Sequence, residues 1–157
     1  MGNLAEQPKQ PAAETALAAL QARFAHVRAT SEAICAPLQT EDYVIQSMPD
    51  VSPPKWHLAH VTWFFEAFIL KPYFAGYRTP NAAFDHLFNS YYETHGTPFP
   101  RPRRGLLSRP GVDEVYRFRA HVDQAMTELL AQPPAEHLDE IIRRVELGLQ
   151  HEQQHQE

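Results

Sequence analysis

Apolar residues recur along this chain at helical spacing in four places. Leu17, Leu20, Phe24, Val27 and Ile34 are separated mostly by three or four residues, or by a multiple, and predict a helix from about Ala12 to Pro37. Lys55 to Leu70 is apolar nearly all round, with Trp56, Val61, Trp63, Phe64, Phe65, Phe68 and Ile69, as suits the centre of a bundle. Ser52 reads as its cap, Pro53 as its first helical residue and Pro72 as its stop. Val115, Phe118, Val122, Met126 and Leu129 predict a helix over about 112–130. Pro133-Pro134 opens the last, from about Ala135 to the end, with the stripe Leu138, Ile141, Ile142, Val145 and Leu149.

Between these lie connectors. Residues 38–52 are rich in turn formers, and 73–95 are aromatic, with a shorter helix predicted around Ala82 to Glu93. Residues 96–111, punctuated by Gly96, Pro98, Pro100, Pro102, Gly105, Pro110 and Gly111, read as a long ordered loop without helix or strand, a type often functional. No strand-like alternation and no internal repeat stands out. The expected fold class is all-α: a four-helix bundle with long crossover loops over 12–157, preceded by a disordered arm over 1–11. The chain ends inside the last helix, within a histidine motif and without a cap, so a fragment of a longer protein is expected.

Composition narrows the function. At 157 residues, 43% hydrophobic and 21% charged, the chain can bury one ordinary core. A net charge of −5 disfavours nucleic acid and anionic membranes as partners, although Arg101 to Arg109 form a small basic stretch. Cys35 is the single cysteine, so no internal disulfide is expected. A polar start without a signal-peptide pattern, and no bilayer-length apolar stretch, make a soluble cytoplasmic protein the expectation.

The nine histidines carry the candidate chemistry. His151 and His155, four apart on a helix, share a face and can bind one metal ion, unless both simply face solvent. The string HEQQH also matches the H-E-x-x-H protease motif, with Glu152 as the general base, but an all-helical chain lacks the sheet that lines a protease substrate; Glu152 is more simply a supporting or surface residue. A third ligand must come from another helix. His57 and His60 both sit in the apolar second helix, where a buried ring needs partners for both nitrogens. Their spacing favours His57 only slightly. Three imidazoles leave positions vacant on a six-coordinate ion, which suits iron(II), and zinc fits equally well.

Several strings resemble one family. Ser47 to His60 (SMPDVSPPKWHLAH), Thr62 to Glu66 (TWFFE), Phe88 to Glu93 (FNSYYE), Pro100 to Pro110 (PRPRRGLLSRP) and Gly148 to Glu157 (GLQHEQQHQE) are similar, in order, to the N-terminal domain of ergothioneine sulfoxide synthases, or hercynine oxygenases. The resemblance covers about residues 15–157. It implies a DinB-like four-helix bundle and an Fe(II) site whose ligands match His57, His151 and His155, with Gln154 helping to place substrate. It also implies O2 and hercynine as substrates with a thiol, cysteine or γ-glutamylcysteine, and a C-terminal domain resembling the formylglycine-generating enzyme, which this chain lacks. Selenoneine synthase, which uses a selenosugar, shares that architecture. Arg103, Arg104 and Arg109 could fork onto substrate carboxylates, or make structural ion pairs. A zinc-dependent thiol transferase and a non-catalytic metal module are the competing classes.

Overall fold

The computed structural model describes residues 10–90 and 96–157, and every regular element among them is helical. In chain order these are α1 (Gln10–Cys35), a 3-10 turn (Thr40–Val44), α2 (Pro54–Phe65), a π-helical turn (Glu66–Leu70), α3 (Lys71–Tyr73) and α4 (Phe84–Leu87). A 3-10 segment (Arg101–Leu106), α5 (Val112–Ala131), a 3-10 turn (Ala135–His137) and α6 (Leu138–Gln156) follow. Residues 1–9 of the expected arm and 91–93 of the expected short helix lie outside the described residues.

The four long helices form the bundle. α6 packs against α1 on one side and α2 on the other, and α5 likewise contacts α2 and α1. The predicted stripes of α5 and α6 face inward: Val115, Phe118, Val122, Met126 and Leu129, with Ile141, Val145 and Leu149, are buried, and Leu138 and Ile142 are half-buried. α1 departs from its pattern at one end. Ile34 is 52% exposed, while Arg28 and Ser31 are buried.

Two local details differ from expectation. Pro53 is the cap of α2 and Pro54 its first residue, one position later than expected, and the Ser52 hydroxyl accepts from Arg104 Nη1 at 2.9 Å. Pro72 does not stop the helix at once; after the π turn the helical run continues through Pro72 and ends at Tyr73. Pro72 has no N–H to offer the carbonyl four residues back. That carbonyl, on Phe68, instead accepts from Arg144 Nη1 of α6 at 2.8 Å, which ties the end of this helical run to α6. The 96–111 stretch is likewise more regular than expected, because Arg101–Leu106 winds into 3-10 turns.

α6 also approaches α2 closely at Gly148. A methyl group there would meet Phe65 Cε1 at 2.7 Å and Phe64 Cε1 at 3.0 Å. Only a residue without a side chain permits this approach, one turn before His151. No helix among the described residues is long and apolar enough to cross a membrane.

Candidate metal centre

The close packing of α2 on α6 brings four imidazoles together. Nε2 of His60 lies 3.1 Å from Nε2 of His151, and Nδ1 of His57 lies 2.8 Å from Nδ1 of His155. The ring of His155 is 4.8 Å from that of His60 and 4.7 Å from that of His151. One nitrogen from each of His60, His151 and His155 falls within 4.8 Å of the others, so these three form a group able to hold a metal ion.

The geometry therefore joins His60 to the α6 pair, where the sequence favoured His57. The reason is tertiary. His60 is buried, and its Nδ1–H donates to the Phe88 carbonyl at 2.5 Å. That bond fixes the tautomer and leaves the Nε2 lone pair directed at His151, the arrangement that outer partners impose on metal-binding histidines. Trp56 stacks on the His60 ring at 4.5 Å and further restricts it. His57 is only partly buried and meets the group through His155.

The residues fit a metal ion on two counts. Two nitrogens each about 2.1 Å from one ion, at right angles, sit about 3 Å apart, close to the His60–His151 separation of 3.1 Å. All four rings also favour the neutral, ligating form. Burial, with the charge of His155, lowers His57 and His151 to about 4. Burial first, then His151, pushes His60 well below its ordinary value, and burial lowers His155.

These shifts make the metal-free fold acid-sensitive. Because the folded values lie below the ordinary 6.5, the unfolded chain binds more protons between about 6.5 and about 4. Stability should be full above that window and fall as pH drops through it. Urea unfolding of metal-free protein at steps from about pH 7 to about pH 4 measures this; a flat profile would contradict the buried neutral cluster.

The histidines open onto a polar basin of about 490 Å³, lined also by Asp50, Ser52, Trp56, Ser90, Arg101, Arg104 and Gln154. Arg104 is buried, its guanidinium 3.5 Å from the centre of the Trp56 ring and bonded to Ser52. Arg103 and Arg109 are exposed, and Arg109 lines a separate cleft with Thr40 and Arg117. Arg101 faces the basin although only the basic stretch as a whole had singled it out. The turns of the 3-10 segment decide which arginines point inward, and the linear sequence carries no signal for that.

Glu152 is neither a general base nor a surface residue. Its carboxylate is fully buried and bonded to Arg28, Ser31 and Arg119. Burial works to raise it, but the charges of Arg28 and Arg119 outweigh that and hold it below the usual carboxylate range. Neither arginine was singled out as a candidate from the sequence, since charged residues on amphipathic helices ordinarily face water.

Among comparisons with known proteins, the family model described as DinB superfamily matches residues 23–157. No curated protein matches the chain.

Proposed function

The chain belongs to the DinB superfamily, and from that premise we propose that it is the metal-binding domain of a non-haem iron(II) sulfoxide synthase that joins a thiol to hercynine using O2. The observation that carries the reading is a three-histidine group on the wall of a polar basin that also presents two arginines and Gln154. The family strings named above supply the substrates.

In this reading His60, His151 and His155 are the protein ligands. When bound, iron(II) supplies the one-electron chemistry that lets O2 oxidise a thiol. The remaining roles fall to the chain itself. Arg104, held flat on Trp56 and anchored by Ser52, offers a preorganised fork to a substrate carboxylate. Arg101 adds a second cation at the rim, and Gln154 offers an amide beside His155. Of the three arginines singled out in the sequence, Arg104 is given this role because it lines the basin, which Arg103 and Arg109 do not. The Phe88 carbonyl keeps the His60 proton on Nδ1.

The reaction balances. The S–H and C–H bonds break, a C–S bond forms, one oxygen atom ends on sulfur, and the other leaves as water with the two hydrogens. This four-electron oxidation matches the reduction of one O2. A further domain would supply the rest of the hercynine pocket, with proximity replacing a three-body encounter.

Mass-spectrometric assay of the full-length protein with iron(II), O2 and hercynine tests the reading. A sulfoxide is expected with cysteine or γ-glutamylcysteine. A selenium product from a selenosugar, with none from either thiol, would move the protein to the selenoneine branch. Thiol transfer with zinc and no oxygen uptake would replace the reading altogether. Residues 1–157 alone are expected to give no detectable product.

A further inference from the structure

α6 presents His151 and His155 to α2, and between them it sends Glu152 into the core. Oε2 of Glu152 accepts from Arg28 Nη1 of α1 at 2.9 Å. Oε1 accepts from Ser31 Oγ of α1 at 2.6 Å and from Arg119 Nη2 of α5 at 3.2 Å. The same arginines continue to α2. Arg28 Nη2 donates to Thr62 Oγ1 at 2.9 Å, and Arg119 Nη1 donates to the Leu58 carbonyl at 3.3 Å and to Thr62 Oγ1 at 3.2 Å. Leu58 and Thr62 stand two residues before and two after His60. One buried ionic layer thus joins all four long helices at the level of the histidines.

We propose that Glu152 is a positioning residue for the three-histidine centre: clamped by Arg28 and Arg119, its carboxylate sets the rotation of α6 against α2, and so the direction in which His151 and His155 face His60. The inference rests on the reading that these three histidines hold a metal. Its physical basis is leverage. A helix rotation of about 10° carries a group about 6 Å from the axis through about 1 Å, whereas metal–ligand distances tolerate about 0.2 Å. A buried carboxylate with three directional donors on two other helices resists such a rotation beyond what packing supplies, because each lost bond leaves a charge or a polar group unpaired in the core.

Cobalt(II) titration of the full chain, followed by visible absorption, tests this beside far-ultraviolet circular dichroism and urea unfolding. Glu152→Gln keeps size and shape but loses the charge. It is expected to remain helical, to bind cobalt about tenfold to a hundredfold more weakly, as loss of outer-sphere support does elsewhere, and to shift the cobalt absorption bands. Ser31→Ala, which removes one donor, should move affinity and bands the same way by less. Asp123→Asn is the comparison: its carboxylate accepts from Arg28 Nε at 2.7 Å rather than binding α6, so it should lower stability while weakening cobalt and shifting the bands clearly less than Glu152→Gln. A folded Glu152→Gln protein with wild-type affinity and bands would overturn the proposal. So would Asp123→Asn weakening cobalt as much as Glu152→Gln does. If Glu152→Gln fails to fold, an unchanged Ser31→Ala overturns it. A wild-type chain that binds no cobalt would instead remove the metal reading itself, and this inference with it.

Discussion

Replacing His60 by alanine should abolish stoichiometric metal binding, whereas His57→Ala should leave one ion per chain. Both residues lie in α2, three positions apart, and both meet the α6 histidines. Both rings have a backbone carbonyl as partner, Phe88 for His60 and Ser52 for His57; what separates them is burial and the distances to the α6 nitrogens. His60 has its Nδ1 proton committed to the Phe88 carbonyl and its Nε2 turned to His151, and it belongs to the group whose nitrogens lie within 4.8 Å of one another. On the proposed assignment, removing it takes one of three protein ligands from the site, so affinity should fall by a hundredfold or more, on the order of 3 kcal/mol or beyond. His57 touches the group through a 2.8 Å contact to His155 Nδ1, which suits a partner that orients His155. Its loss should weaken binding about tenfold without changing stoichiometry. Metal content by mass spectrometry and affinity by competition with a chelator measure both. The reverse pattern, with His57→Ala empty and His60→Ala loaded, would restore His57 as the ligand.

Arg119→Met should destabilise the fold by about 3–5 kcal/mol, the usual cost of removing one member of a buried charge cluster. Arg119 is fully buried, and its guanidinium serves Glu152, the carbonyls of Arg28 and Leu58, the Thr62 hydroxyl and Glu32. Methionine fills much of the volume but donates nothing, so acceptors on three other helices lose a partner at once. The contrast is Glu140→Ala. Glu140 pairs with Arg144 across one turn of α6 at the surface, where solvent screens the pair, and its loss should cost far less. Urea unfolding of the two variants decides. Equal, small losses would mean that the buried layer is no stiffer than a surface pair, and the clamp on α6 would lose its physical basis.

The chain itself determined the helices. Apolar residues at steps of three and four can be buried together only on a helix, and Pro37, Pro53-Pro54 and Pro133-Pro134 remove the N–H groups that would let the helices run on. That was enough to read α5 almost to the residue, and to place His151 and His155 on one face, because the i,i+4 relation is local. The choice between His57 and His60 is not local. Which of the two comes within reach of both His151 and His155 depends on how α2 packs against α6, and no spacing within α2 encodes that. The same holds for the arginines. Arg103, Arg104 and Arg109 look alike in sequence, and the winding of the Arg101–Leu106 segment over Trp56 selects Arg104 and Arg101 for the basin. Glu152 reads in the sequence as a supporting or surface residue and Arg28 and Arg119 are not singled out there, since a lone charge is ordinarily left in water; only when α1, α2, α5 and α6 meet do their charges find one another, and opposite charges supplied by other helices are what make their burial tolerable.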